Sequence, residues 1–202
     1  MTRLWCELAW LGGERAEAGV LLEVEGERLS AVSAGVDPPA DAERLAGLTL
    51  PGLANAHSHA FQRALRGRTQ AGTGTFWTWR EQMYELAERL DPDSCFALSR
   101  AAFGEMALAG ITCVGEFHYV HHAPGGAPYD DPNAMGRAVI AAAEEVGIRI
   151  TLLDACYLHG GVERFRDPDP ISWAARVDAL HESPTVRIGA AIHSMRAVDP
   201  EG

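Results

Sequence analysis

The chain has 202 residues, 47% of them hydrophobic and 22% charged, with a formal net charge of -11. This is ordinary globular composition, and the acidity argues against nucleic acid or an anionic membrane surface as the main partner. Cys6, Cys95, Cys113 and Cys156 form no CxxC pair, no run approaches a membrane span, and Met1–Trp10 carries Glu7 without the apolar centre of a secretory signal, so a soluble cytoplasmic protein with free thiols is expected.

Residues 1–49 read as short strands. The stretch GVLLEVEGERLSAVSAG has a hairpin pattern, with strands at Val20–Val24 and Leu29–Val32 around a turn at Glu25-Gly26-Glu27. VDPPADAERLAG then reads as a polar, proline-containing loop. From residue 51 the rhythm changes. In LPGLANAHSHAFQRAL a Pro-Gly turn precedes an expected strand at Ala54–His59, and TFWTWREQMYELAERL follows as a helix. Asp91-Pro92 opens a helix to about Ala109 that Gly110 ends, and ITCVGEF is the next strand. Asp131-Pro132 opens a helix through NAMGRAVIAAAEEV that Gly147 ends, followed by the strand IRITLLDAC. The Asp167–Pro170 segment opens a third helix, ISWAARVDALH, followed by VRIGAAIHS. Asp as N-cap, Pro at the first helical position and Gly past the last are the expected punctuation. The strands are near-continuous apolar runs, the pattern of parallel strands covered on both faces. The order β(αα)βαβαβ suits either a doubly wound sheet or a (βα)₈ barrel. No GxGxxG follows the first strand, which removes the best sign of nucleotide binding.

His57 and His59 are the most suggestive pair. Residues i and i+2 on a strand share a face, so two imidazoles there can reach one metal ion; a catalytic zinc-type site adds a third protein ligand and leaves one position for water. The same pair also fits two histidines satisfied by hydrogen bonds at a strand end. His121 and His122 are adjacent on an extended segment and point apart, so with His118 they read as structural or loop residues. Glu116, in an apolar strand, reads as a buried hydrogen-bond partner. Trp77 and Trp79 read as core, and Arg63, Arg66 and Arg68 as a solvated basic run.

The stretches LPGLANAHSHAFQRALRG, FWTWREQMY, EFHYVHH and HSMRAV, in this order behind a β-rich segment, resemble the amidohydrolase superfamily of metal-dependent hydrolases and, within it, the formimidoylglutamate deiminase branch. The resemblance implies an α/β fold: the first half of a (βα)₈ TIM barrel preceded by a small β-sandwich segment. The division is residues 1–50 for that segment and 51–202 for four barrel strands with their helices, the C-terminal half being absent. It also implies zinc as the metal, held by His57 and His59, and substrate contacts from Gln62, Arg80, Tyr119, His193 and Arg196. The implied reaction hydrolyses N-formimino-L-glutamate, a small dicarboxylate, to N-formyl-L-glutamate and ammonia in histidine degradation. Nucleic acid and membrane are not implied partners, and a homo-oligomer is expected for the full-length form. The family's further metal ligands and its acid–base residues lie on later strands, beyond residue 202. The chain alone is therefore expected to be an incomplete, inactive fragment that self-associates or aggregates through its edge strands. The alternatives are another aminohydrolase with a nucleobase-like substrate, or a non-catalytic half-barrel used for binding or assembly.

Overall fold

A computed structural model of the chain describes residues 1–69 and 74–198. The chain divides into two compact units, Met1–Gly52 and Leu53–Gly202. The first is a four-stranded mixed sheet of β1 (Thr2–Ala9), β2 (Glu17–Glu25), β3 (Arg28–Ser33) and β4 (Glu43–Thr49), in the order β3-β2-β1-β4. The hairpin joins Glu25 to Arg28, and Gly26 takes φ +60° at the first position of its two-residue turn. A primed hairpin turn needs a positive φ there, and glycine supplies it without steric cost. Cys6, Ala9 and Val20 form the small core of this sheet.

The expected loop at residues 36–47 is corrected in its second half, where β4 pairs in parallel with β1. Its residues lack the alternation of a strand because most of them are exposed. The pairing comes from β1, with a register shift between Cys6 and Leu8 and the Gly47 amide donating to Glu7 Oε2 at 2.8 Å.

The second unit contains β5 (Leu53–Ser58), α1 (Phe76–Ala87), α2 (Pro92–Leu108), β6 (Ile111–His118), α3 (Ala134–Val146), β7 (Arg149–Cys156), α4 (Pro170–Asp178) and β8 (Val186–Ile192). Its four strands are all parallel and lie in chain order, β5-β6-β7-β8. A doubly wound sheet reverses its strand order at a switch point, whereas a barrel adds each strand beside the last, so this is the first half of a (βα)₈ barrel. Asp91 accepts from the Ser94 amide at 2.7 Å and the Ser94 hydroxyl accepts from the Asp91 amide at 2.9 Å, with Pro92 opening α2. Asp169 likewise caps α4 through the Ser172 amide at 2.7 Å. Gly147, φ +83°, ends α3.

The start of α3 differs from expectation. The helix begins at Ala134 because Asp131 caps a turn through the Asn133 amide at 2.9 Å, while the Asn133 side chain donates to Arg176 O at 2.9 Å. A contact across to α4 has taken the side chain that would otherwise cap the helix. The helix α4 ends at Asp178, short of His181.

One sheet face, carrying Val114, Glu116, His118, Ile150, Leu152 and Asp154, is buried with Phe103, Met135, Val139 and Phe165 in the core. The other, carrying Phe117 and Leu153, is half-exposed among the described residues. The expectation of strands covered on both faces therefore holds here for the helix side alone. Among the described residues no helix is long and apolar enough to cross a membrane.

Candidate functional site

The strand β5 ends at Ser58 and a 3₁₀ turn follows at Ala60–Leu65. His57 and His59 straddle this junction, with their Nε2 atoms 3.0 Å apart. Two nitrogens ligating one tetrahedral ion at about 2.0–2.1 Å lie about 3.3–3.4 Å from each other, so the rings are already turned toward a common point. His59 Nδ1 lies 3.0 Å from Phe117 O. A carbonyl can only accept, so the proton sits on Nδ1 and Nε2 keeps its lone pair, the usual arrangement for a histidine that ligates a metal. Burial, with the charge of His57 adding to it, holds the His59 pKa down against the raising effect of the Phe117 carbonyl. The ring is therefore neutral at pH 7, as a ligand must be.

Behind the pair, the buried Glu116 accepts from the Ala60 amide at 2.7 Å. This holds the turn that follows His59, and burial pushes the Glu116 pKa up to about 7. No group of three or more His, Cys, Asp and Glu side chains among the described residues is placed to hold a metal ion. His57 and His59 thus fit two positions of a cation site, and a cation there needs a further ligand from outside the described residues.

A cavity of about 440 Å³ opens beside the pair, lined by Ala56, His57, His59, Phe117, Leu153 and His193. A second, of about 520 Å³, shares His193 with it. Arg80, Tyr119, His193 and Arg196 all line this second cavity, and among the described residues that line it none is Asp or Glu. Tyr119 is buried, and its hydroxyl accepts from Gln62 Nε2 at 2.8 Å. Burial raises the Tyr119 pKa far above its ordinary value, so the hydroxyl remains a donor. The His193 amide donates to Cys156 O at 3.1 Å, and its ring lies 4.3 Å from that of Tyr157 and 5.0 Å from that of Tyr119. Burial first, then the charges of His59 and Arg196, lowers the His193 pKa to about 4. Arg80 donates from Nε to Tyr84 Oη at 2.7 Å.

The histidines set apart as structural lie elsewhere. His118 and His121 are buried on the helix side, where His121 Nε2 is 3.0 Å from Ala155 O and Nδ1 is 3.7 Å from Asp154. Two sequence expectations are corrected. Trp77 is 63% exposed rather than core, because it stands at the cavity mouth in the first turn of α1, whereas Trp79 packs against the core. Arg63 and Arg66 are not simply solvated: both meet Glu105 on α2, Arg63 through two nitrogens at 2.5 and 3.0 Å and Arg66 at 3.2 Å. Sequence reasoning passed over Tyr84 and Tyr157, which line the larger cavity. It also passed over a buried ion cluster in which Arg176 joins Asp154 and Asp167. An aspartate inside the apolar run LLDAC was the available signal for that cluster.

The sequence profile of the amidohydrolase family matches residues 48–201. The formimidoylglutamate deiminase of Pseudomonas aeruginosa is 38% identical over 187 residues, which cover 84% of this chain and 41% of that protein. The 8-oxoguanine deaminase of the same organism is 27% identical over 165 residues, covering 75% of this chain and 34% of that one. A crystal structure of an amidohydrolase from Brucella melitensis matches 100% of this chain with a TM-score of 0.90 and 33% identity, over 48% of its own length. Atrazine chlorohydrolase from Arthrobacter aurescens, solved in complex with zinc, shares the fold with a TM-score of 0.78 at 23% identity, also over 48% of its length. The chain spans between about a third and a half of the length of these relatives.

Proposed function

The chain belongs to the amidohydrolase family, and from that premise we propose that it serves in hydrolytic deimination of N-formimino-L-glutamate to N-formyl-L-glutamate and ammonia, with zinc at the His57–His59 pair. The observation that carries this reading is the larger cavity. In a chain of net charge -11, Arg80 and Arg196 line it, and among the described residues its lining includes no Asp or Glu. Two guanidinium groups in a confined space call for anionic ligands, and a planar fork matches a carboxylate. A glutamate derivative brings two carboxylates, and the cavity adjoins the one lined by His57 and His59 through their common wall residue, His193. The similarity to a formimidoylglutamate deiminase supports the same substrate.

When bound, a divalent cation such as zinc supplies Lewis acidity and an acidified water at neutral pH. His57 and His59 would hold it through Nε2, with His59 oriented by Phe117 O. Arg80 and Arg196 take the carboxylates. The Tyr119 oxygen already accepts from Gln62, so its own hydrogen is left to donate to the formimino end; its other polar neighbour is the weak acceptor Met83 Sδ at 3.9 Å. His193, neutral at pH 7, offers one donor and one acceptor between the two cavities.

The aromatic lining from Phe76, Trp77, Trp79, Tyr84 and Tyr157 supports a second reading, a flat nucleobase-like substrate, as does the similarity to 8-oxoguanine deaminase. Calorimetric titration of the chain with N-formyl-L-glutamate and with guanine separates the two. A charge-assisted hydrogen bond is worth about 1.5–3 kcal/mol, so Arg196→Met is expected to weaken N-formyl-L-glutamate binding by about 10- to 100-fold and leave guanine untouched. Guanine-selective binding indifferent to Arg196 would overturn the proposal.

A further inference from the structure

Trp77, Arg80 and Tyr84 recur at i, i+3 and i+7 along α1, which puts them on one stripe of the helix, and all three line the larger cavity. The Arg80 guanidinium carbon lies 5.0 Å from the Tyr84 ring centroid and 5.5 Å from that of Trp77, within the range of cation–π attraction. Its Nε donates to Tyr84 Oη at 2.7 Å. The rings of Tyr84 and of Tyr157, just past the end of β7, both pack against Phe165, with centroids 5.9 and 5.8 Å from it. Tyr157 is itself held tightly: a Cβ on Gly161, whose φ is +62°, would lie 2.7 Å from the Tyr157 oxygen. The Tyr84 phenol thus holds one edge of the guanidinium, with Phe165 and Tyr157 packed behind it.

We infer that Tyr84, backed by Tyr157, is a positioning residue that commits Arg80 to an end-on grip of a carboxylate. A guanidinium can clasp a carboxylate side-on, through Nε and one Nη, or end-on, through both Nη atoms. With Nε engaged by Tyr84, the side-on mode is closed and the Nη pair is the remaining fork. The aromatic neighbours restrain the plane of that fork. The depth at which a carboxylate stops is then set by Tyr84, and with it the length of dicarboxylate that spans from Arg80 to the rest of the site. This specificity role rests on the dicarboxylate reading proposed above.

The test is titration of the chain with N-formyl-L-glutamate and with N-formyl-L-aspartate, which is one methylene shorter. Tyr84→Phe keeps the ring and removes the oxygen. It is expected to weaken N-formyl-L-glutamate binding by about tenfold and to erase the preference over the shorter acid. Arg80→Lys, which has a point charge and no fork, is expected to lose the same preference, and Tyr84→Phe is expected to have no further effect in that background. An unchanged preference in Tyr84→Phe overturns the inference. So does a Tyr84→Phe effect that persists at full size in the Arg80→Lys background, the mark of a merely structural role. Should Tyr84→Phe fail to fold, Tyr84→Leu, which also removes the oxygen, replaces it in the same cycle with the same criteria. Failure of the parent chain to bind either acid would overturn the dicarboxylate reading and this inference together, and is recognised because it occurs before any substitution.

Discussion

Arg176→Met is expected to destabilise the second unit by about 3–5 kcal/mol, the range for removing one partner from a buried ion cluster. Arg176 is 6% exposed, and its guanidinium bridges Asp154 on β7, at 2.8 and 3.3 Å, to Asp167 ahead of α4. Asp154 and Asp167 are 1% and 3% exposed, so neither carboxylate can turn to water once the cation is gone. Trp173 Nε1 still donates to Asp154 at 3.0 Å, but a neutral donor does not replace a charge. Burial alone raises both carboxyl groups. His121 and Arg176 outweigh it at Asp154, which stays below the ordinary range, whereas burial prevails at Asp167. At about 2–4 °C per kcal/mol for a unit of this size, the thermal midpoint should fall by about 6–20 °C. Urea denaturation at pH 7 and pH 4 is the assay. The deficit should shrink at pH 4, where the stranded carboxyls take up protons. The triple replacement Asp154→Asn, Asp167→Asn, Arg176→Met should recover much of the loss, because it leaves no buried charge unpaired. Asp167 also accepts from the Tyr157 amide at 3.4 Å and donates its own amide to Tyr157 O at 2.8 Å, so ligand binding in the larger cavity should weaken with stability. A loss under about 1 kcal/mol for the single variant, with no difference between the two pH values, would refute the reasoning.

Acid sensitivity has a second source in His118, whose burial lowers its pKa to about 4, with Arg176 reinforcing and Asp154 opposing the shift. The unfolded chain binds that proton near pH 6.5 and the folded chain only near 4, so stability present above pH 6.5 is lost as pH falls toward 4, by about 3 kcal/mol. His118→Leu should flatten the stability profile between pH 6.5 and 4, and an unchanged slope would count against the assignment. At the His57–His59 pair, proposed above to hold zinc, loss of a residue that merely orients a ligand typically weakens binding by about 10–100-fold, so loss of a ligand should exceed that. His59→Ala is therefore expected to weaken zinc binding by more than about 100-fold in chelator competition; an affinity within tenfold of the parent would show that zinc is not held there.

Legibility followed the range of each interaction. The Asp91–Ser94 box, the Asp169 cap, and Gly110 and Gly147 at helix ends could be read from the chain because every partner lies within a turn of the residue concerned. The hairpin at Gly26 was readable for the same reason, and the i, i+2 spacing of His57 and His59 already allowed a shared ion. The stretches around them carried the family. By contrast, Asn133 turned from capping α3 to bonding Arg176 O, forty-three positions away. Residues 43–49 became a strand only because β1 offered them an unpaired edge. Arg63 and Arg66 found Glu105 on another helix.

Sequence alone thus determined the caps that open α2 and α4, that the strands of the second unit are parallel, and that the paired histidines could serve a metal. Tertiary structure decided that the strands add in chain order, that Phe117 orients His59, and that Arg80 and Arg196 share one cavity. The physical reason is that propensity and capping act over a few residues, whereas the electrostatics of a site depend on which distant side chains the sheet brings to one end of its strands.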